Sequence, residues 1–131
     1  RTFLSEIIYH GKKYYLKDLL LPNINEKTKI GFDEEKLRWA KENEMFIWKY
    51  FIENKLLYST NRELINRFIN PAPFSKFYLE LDNESPGKIG QWIGWNIVKS
   101  YVKNNPTVSL SEVLKKSEFE IFQYSKYKPL K

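Results

Sequence analysis

Ser85-Pro86-Gly87-Lys88-Ile89-Gly90-Gln91-Trp92-Ile93-Gly94-Trp95-Asn96-Ile97-Val98-Lys99-Ser100-Tyr101 is the stretch whose reading decides the fold. Ser85 has the chemistry of an N-cap and Pro86 that of a first helical residue, so a helix is predicted to start here, with the positive end of its dipole at Ser85-Pro86-Gly87. On a helical wheel Gly87, Gly90, Gly94, Val98 and Tyr101 share one face, and Ile89, Ile93, Ile97 and Ser100 another, with Trp92 and Trp95 between. A glycine inside a helix is about 1 kcal/mol less favourable than alanine, so repeated glycines imply that something must come close to this backbone. Two occupants satisfy that requirement. A neighbouring helix can pack on the small-residue face, or the face can line a groove for an extended peptide or another ligand, walled by Trp92, Trp95 and Tyr101. Just upstream, Glu80, Asp82 and Glu84 form an acidic cluster that reads as dipole partners, as polar recognition, or as paired carboxylates for acid/base work.

Outward from this stretch the periodicity is helical. Leu4, Ile8, Tyr15 and Leu19 recur at helical spacing, widened by Phe3, Ile7 and Tyr14, and predict a helix over 3–21 that Pro22 ends. Gly11 sits inside it, which implies a close packing contact. Residues 23–31 read as a polar loop. Asp33 is the predicted N-cap of a long helix over 34–57, with Phe32 and Leu37 as a hydrophobic staple. That helix is apolar on so many faces that it is expected to be central. Glu42 and Glu44 within it are either exposed helix charges or carboxylates facing a cleft. Thr60-x-x-Glu63 predicts a short capped helix, and 77–81 a short extended run. Asn104-Asn105-Pro106 ends the glycine-rich helix, and the capping boxes Ser109-x-x-Glu112 and Ser117-x-x-Glu120 open two short ones. The expected fold is mainly α: one compact bundle of about five or six helices over 1–131, with a proline-rich loop and at most a short strand.

Composition narrows the chemistry. The chain has 131 residues, enough for one domain with its own core, and 17% of them are aromatic. No run of about twenty apolar residues is present. There is no cysteine and one histidine, His10, so Cys-based metal sites, disulfides and a zincin helix with two histidines are excluded within these residues. His10 beside Gly11 reads as a packing or hydrogen-bonding histidine. The net charge of +6 comes from lysines dispersed among acidic residues, which reads as a solvated surface and not as a nucleic-acid interface. No cofactor is expected. Asn70-Pro71-Ala72-Pro73-Phe74 cannot be helical; its prolines make it a rigid connector or a preorganised recognition loop. The chain opens on Arg1 without Met, signal peptide or lipobox, so a longer or processed product is expected.

Several segments together resemble one family. Tyr9-x-Gly11-Lys12, Leu19-Leu20-Leu21-Pro22, Ile30-Gly31-Phe32, Leu56-Leu57-Tyr58-Ser59-Thr60, the run Arg67 to Glu80 through the proline loop, and Asp82-Asn83-Glu84-Ser85-Pro86-Gly87 leading into the glycine helix are similar to the C-terminal part of GldB, the gliding-motility-associated lipoprotein family of Bacteroidota. The resemblance runs through all 131 residues. It implies a longer lipoprotein, lipid-anchored through an upstream segment on the periplasmic side of the outer membrane, with partners among the envelope proteins of gliding and type IX secretion. A more distant resemblance, of the Gly90-x-x-x-Gly94-Trp95-x-Ile97-Val98-x-Ser100-Tyr101 pattern to the last helix of predicted zinc peptidases, implies a zincin-like fold. Their His-Glu-x-x-His helix would lie upstream of Arg1, so no metal ligand carries over. The gliding family reads as degenerate at that motif, which implies a non-catalytic relative. The alternative is the substrate-binding half of an active zinc metallopeptidase. On either view the expected binding surface is Gly87, Gly90, Gly94, Trp92, Trp95 and Tyr101, joined by Asp82, Glu84, Pro71, Pro73 and Phe74.

Overall fold

In the computed structural model, residues 1–72, 74–77 and 85–129 are described. Among them the chain forms α1 (Phe3–Leu20), α2 (Glu26–Ile30), α3 (Glu34–Glu42), α4 (Glu44–Glu53), a π-helical turn (Ile65–Ile69), α5 (Ile89–Asn104), α6 (Leu110–Lys115) and α7 (Glu118–Ser125). The mainly helical class holds. The extended run expected at 77–81 lies, beyond Phe77, outside the described residues. The nearest feature to a strand among those described is one isolated bridge between Phe74 and Pro86.

α5 is the centre. Ten of its sixteen residues are buried, from Ile89 through Tyr101. α1 lies along it over a longer contact than any other pair of elements makes, α7 packs on it next, and the π turn sits near its start. The glycines explain the closeness. A Cβ on Gly94 would fall on the carbonyl of Ile7, and a Cβ on Gly11 would fall on the carbonyl of Gly94. Each helix therefore supplies a glycine opposite the other's backbone. The π turn widens its last turn so that Asn70 N–H bonds to the Ile65 carbonyl at 2.8 Å. This leaves the Phe68 carbonyl facing Gly90, where a Cβ would stand 3.0 Å away, and the Ile69 carbonyl accepting from Gln91 Nε2 at 2.7 Å. Around this seam Phe3, Phe51, Phe68 and Phe77 pack edge to face, with Phe3–Phe51 and Phe68–Phe77 centroids 5.0 Å apart. Each such ring taken fully from water contributes about 1.5–3 kcal/mol.

Several expected boundaries move, each for a physical reason. Residues 23–31 contain α2, capped by Asn25 accepting from Thr28 N–H and closed by Gly31 in the left-handed region at φ 80°, where glycine carries no Cβ penalty. The expected helix 34–57 is two helices and not the central element. Asp33 caps α3 as predicted, but Asn43 breaks the run. Its amide nitrogen Nδ2 donates to the Trp39 carbonyl at 2.8 Å, an alternative to continuing the helix. Left-handed Lys55 then follows the end of α4. The capping box at Thr60 does not form; Asn61 Oδ1 accepts from Glu63 N–H instead. The start at Ser85-Pro86 is also corrected. α5 begins three residues later, after Lys88 in the left-handed region at φ 61°. Ser85 is fully buried, and its hydroxyl donates to the Ser75 carbonyl, while Ser75 Oγ donates to the Pro86 carbonyl at 2.6 Å. Tertiary pairing across residues 75 and 85 has displaced the local cap. The predicted ends at Pro22 and Asn104, and the capping box at Ser109, are found where expected.

The seam yields a ranked prediction. Alanine at Gly94 or Gly11 would gain about 1 kcal/mol of helix propensity, but it puts a methyl into main-chain atoms that cannot rotate away. Overpacking of that kind is expected to dominate at about 3 kcal/mol or more. Gly90→Ala, whose nearest main-chain atom is the Phe68 carbonyl at 3.0 Å and whose other neighbours are side chains, is expected to be clearly milder. Urea unfolding of the three variants checks the order.

Candidate functional site

The glycine face does not line an open groove. Gly90 and Gly94 are covered by α1 and the π turn, and Trp92, Trp95 and Tyr101 are core residues at 4% exposure or less. Trp95 stacks on Tyr14 at 4.9 Å and donates its indole N–H to Asp18 Oδ2 at 2.8 Å. Trp92 donates to Glu26 Oε2 at 3.4 Å. Gly87 precedes the helix, its Cα pressed on the backbone of Ala72. Pro71 is exposed and Phe74 half-exposed beside it. Pro73, Asp82 and Glu84 lie outside the described residues. Of the two readings of the glycine face, packing describes this structure, and the groove position is occupied by the chain's own helices. His10 is partly exposed and pairs with Lys13 Nζ at 3.3 Å. Burial and the Lys13 charge lower its pKa below the usual 6.5. Among the described residues no group of His, Cys, Asp or Glu is arranged to hold a metal ion.

The open site lies on the other side of α5. A cleft of about 670 Å³ is walled by the polar stripe Asn96, Lys99, Ser100, Lys103 and Asn104, which repeats at helical spacing. Opposite stands the break between α3 and α4, which places Lys41, Glu42 and Glu44 on the rim. The third wall is the tail Lys126 to Pro129. Glu42 and Glu44 therefore face a cleft, the sharper of the two readings of that pair.

The walls are fixed by hydrogen bonds. Lys126 closes α7 in the left-handed region at φ 53°, turning the tail back over α5. The Ser125 carbonyl accepts from Ser100 Oγ at 2.7 Å and from Asn104 Nδ2 at 2.9 Å. Tyr127 packs edge-on against Trp48 at 5.0 Å, and its hydroxyl donates to Glu44 Oε2 at 2.6 Å. Burial, then the charge and hydrogen bond of Glu44, push the Tyr127 phenol well above its ordinary value of 10. Behind the lining residues Lys41 and Lys99, Glu26 pairs with both, at 3.2 Å and 3.3 Å. Burial alone would raise the Glu26 carboxyl, but Lys99 and Lys41 outweigh it and leave it below 4.5. Lys99 also lies 4.1 Å over the Trp95 ring.

A family model for gliding motility protein GldB matches residues 1–129. The chain belongs to the GldB family. Membership implies a role in gliding motility, and the lipoprotein character of GldB proteins implies association with the cell envelope. Comparison with curated proteins and with solved structures returned no match. Among the described residues of this GldB chain, no helix is long and apolar enough to cross a membrane.

Sequence reasoning missed the cleft because its lysines come from separate segments. Dispersed along the chain, they read as a solvated surface. The polar stripe on α5 was the available signal. Lys12 was missed differently: read with the other lysines as solvated surface, it is buried. Its ammonium donates to the Leu114 and Lys116 carbonyls and to Glu118 Oε2 at 2.8 Å, stitching α1 to the end of α6 and the start of α7.

Two predictions follow from the walls. Tyr127→Phe removes a hydrogen bond to a charged acceptor and is expected to destabilise by about 1.5–3 kcal/mol, read as a lower urea midpoint. Glu26 has a depressed folded pKa, so its contribution is present above about pH 4.5 and is lost as pH falls through the lower folded value. Glu26→Gln should therefore be less stable than wild type at pH 7, with the gap closing in acid, as measured by thermal unfolding at each pH.

Proposed function

We propose that this GldB-family chain is a non-catalytic interaction component on the periplasmic side of the outer membrane in Bacteroidota, lipid-anchored in the full-length protein, supporting gliding motility together with type IX secretion. The observation that carries the reading is the family match across residues 1–129. The arrangement of side chains agrees with it. The tryptophans and glycines that resembled a peptidase cleft serve packing here, and the accessible polar groups gather in a cleft suited to holding a charged partner. Other envelope proteins of the gliding and secretion machinery are the partners this reading implies.

The test uses a gliding member of the phylum. Deleting the gene is expected to abolish colony spreading and type IX cargo release, and the full-length protein should restore both and fractionate with the outer membrane. Fractionation elsewhere overturns the location. Hydrolysis of a peptide library by purified full-length protein, abolished by a zinc chelator, overturns the non-catalytic part in favour of a metallopeptidase.

A further inference from the structure

We infer that the cleft between α5, the α3–α4 break and the 126–129 tail binds a phosphate group. This goes beyond the envelope reading and rests on the cleft alone.

The volume of about 670 Å³ falls in the range of small-ligand sites, roughly 300–1,000 Å³. Its charge is uneven. Five lysines face two glutamates, an excess of three positive charges. The commitments within the cleft are uneven too. Glu44 already accepts from Tyr127, and Lys41 and Lys99 share Glu26. Lys103, Lys126 and Lys128 make no ion pair among the described residues. The fold brings these three uncommitted ammonium groups together from α5, the end of α7 and the tail, and it holds Lys126 in a backbone region that side chains disfavour. Gathering like charges in this way is unfavourable in the free protein and is relieved by an anion.

The donor set selects the anion. Among its described lining residues the cleft contains no arginine, so an anion there is held by charge and not by a planar bidentate fork. Ammonium groups act as point charges, a chemistry that suits phosphate. A dianion with three terminal oxygens matches three free ammonium groups better than a single carboxylate does. Asn96, on the same wall, makes no side-chain hydrogen bond among the described residues and supplies a neutral donor. The walls need no rearrangement, because Tyr127, Ser100 and Asn104 already fix them. The phosphate can be free or the terminal phosphomonoester of a lipid headgroup; both present three terminal oxygens.

The test titrates the purified chain with inorganic phosphate, followed by backbone amide shifts. It also measures co-sedimentation with vesicles of phosphatidic acid in phosphatidylcholine against phosphatidylcholine alone. Shifts are expected at Asn96, Ser100 and Lys126, weakening with added salt. The variant Lys103→Gln/Lys126→Gln/Lys128→Gln should bind about tenfold more weakly. Lys126→Gly should also weaken binding while keeping an unchanged or higher thermal midpoint, which separates lost binding from lost folding. Binding to vesicles without binding to phosphate assigns a headgroup; the reverse assigns a soluble phosphate compound. Binding to neither overturns the inference. So do shifts centred on Lys88 and the lysines whose charge it feels, Lys13, Lys17 and Lys36, an unaffected triple variant, or tighter binding of a polyglutamate peptide than of phosphate.

Discussion

The rest of the structure depends on one contact, the approach of the α1 and α5 backbones through Gly11 and Gly94. Each glycine lies where the other helix presents main-chain carbonyl oxygen, and neither position has room for a methyl. At that separation the large side chains are forced outward to the edges of the seam, where their polar ends can be met. Trp95 reaches Asp18, Trp92 reaches Glu26, and the Tyr14 hydroxyl donates to Gln91 Oε1 at 2.6 Å. Gln91 completes the circuit to the π turn. Every described buried side-chain nitrogen or oxygen has a partner, and burial raises the Tyr14 phenol to about 12, which keeps it a donor.

With α1 against it on one side, α5 has one polar stripe left to show. The site follows from this asymmetry. The same helix supplies the core with isoleucines and tryptophans and the cleft with Asn96, Lys99, Ser100 and Lys103. The cleft needs two further walls, and both come from departures from regular structure. Asn43 ends α3 early enough to put Glu42 and Glu44 on the rim. Lys126 turns the chain so that Tyr127 can insert beside Trp48. A continuous helix over 34–57 would have erased the first wall, and an ordinary right-handed residue at 126 would have sent the tail elsewhere.

The cationic groups divide by what they do. Lys12 and Lys88 act structurally. Lys12 satisfies carbonyls at the end of α6. Lys88 donates to the Ile30 carbonyl at the end of α2, where a cation complements the helix dipole. Burial, then the nearby Lys13, Lys17 and Lys36, lower the Lys88 pKa. The lysines of the cleft differ in having few acidic partners, and that difference directs attention to them. A net charge of +6 spread along 131 residues says little about a partner until the fold shows which charges meet.

Much was legible in the residues themselves. Helical spacing located α1 and α5, proline and asparagine marked their ends, and Asp33, Ser109 and Ser117 capped the helices expected of them, because these signals act within a few residues. Gly11 and Gly94 announced a close approach, and the long specific segments carried the GldB resemblance. What occupied the glycine face was decided in three dimensions, since a wheel shows which residues share a face and not what lies against it. The start of α5 moved from Pro86 to Ile89 because Ser75, ten residues from the expected cap, offered Ser85 a buried partner. Lys12 became an internal bridge, and the lysines at 41, 99, 103, 126 and 128 became one cleft. Local chemistry sets the elements of a chain; contacts between residues distant in sequence set which faces are filled and which remain open.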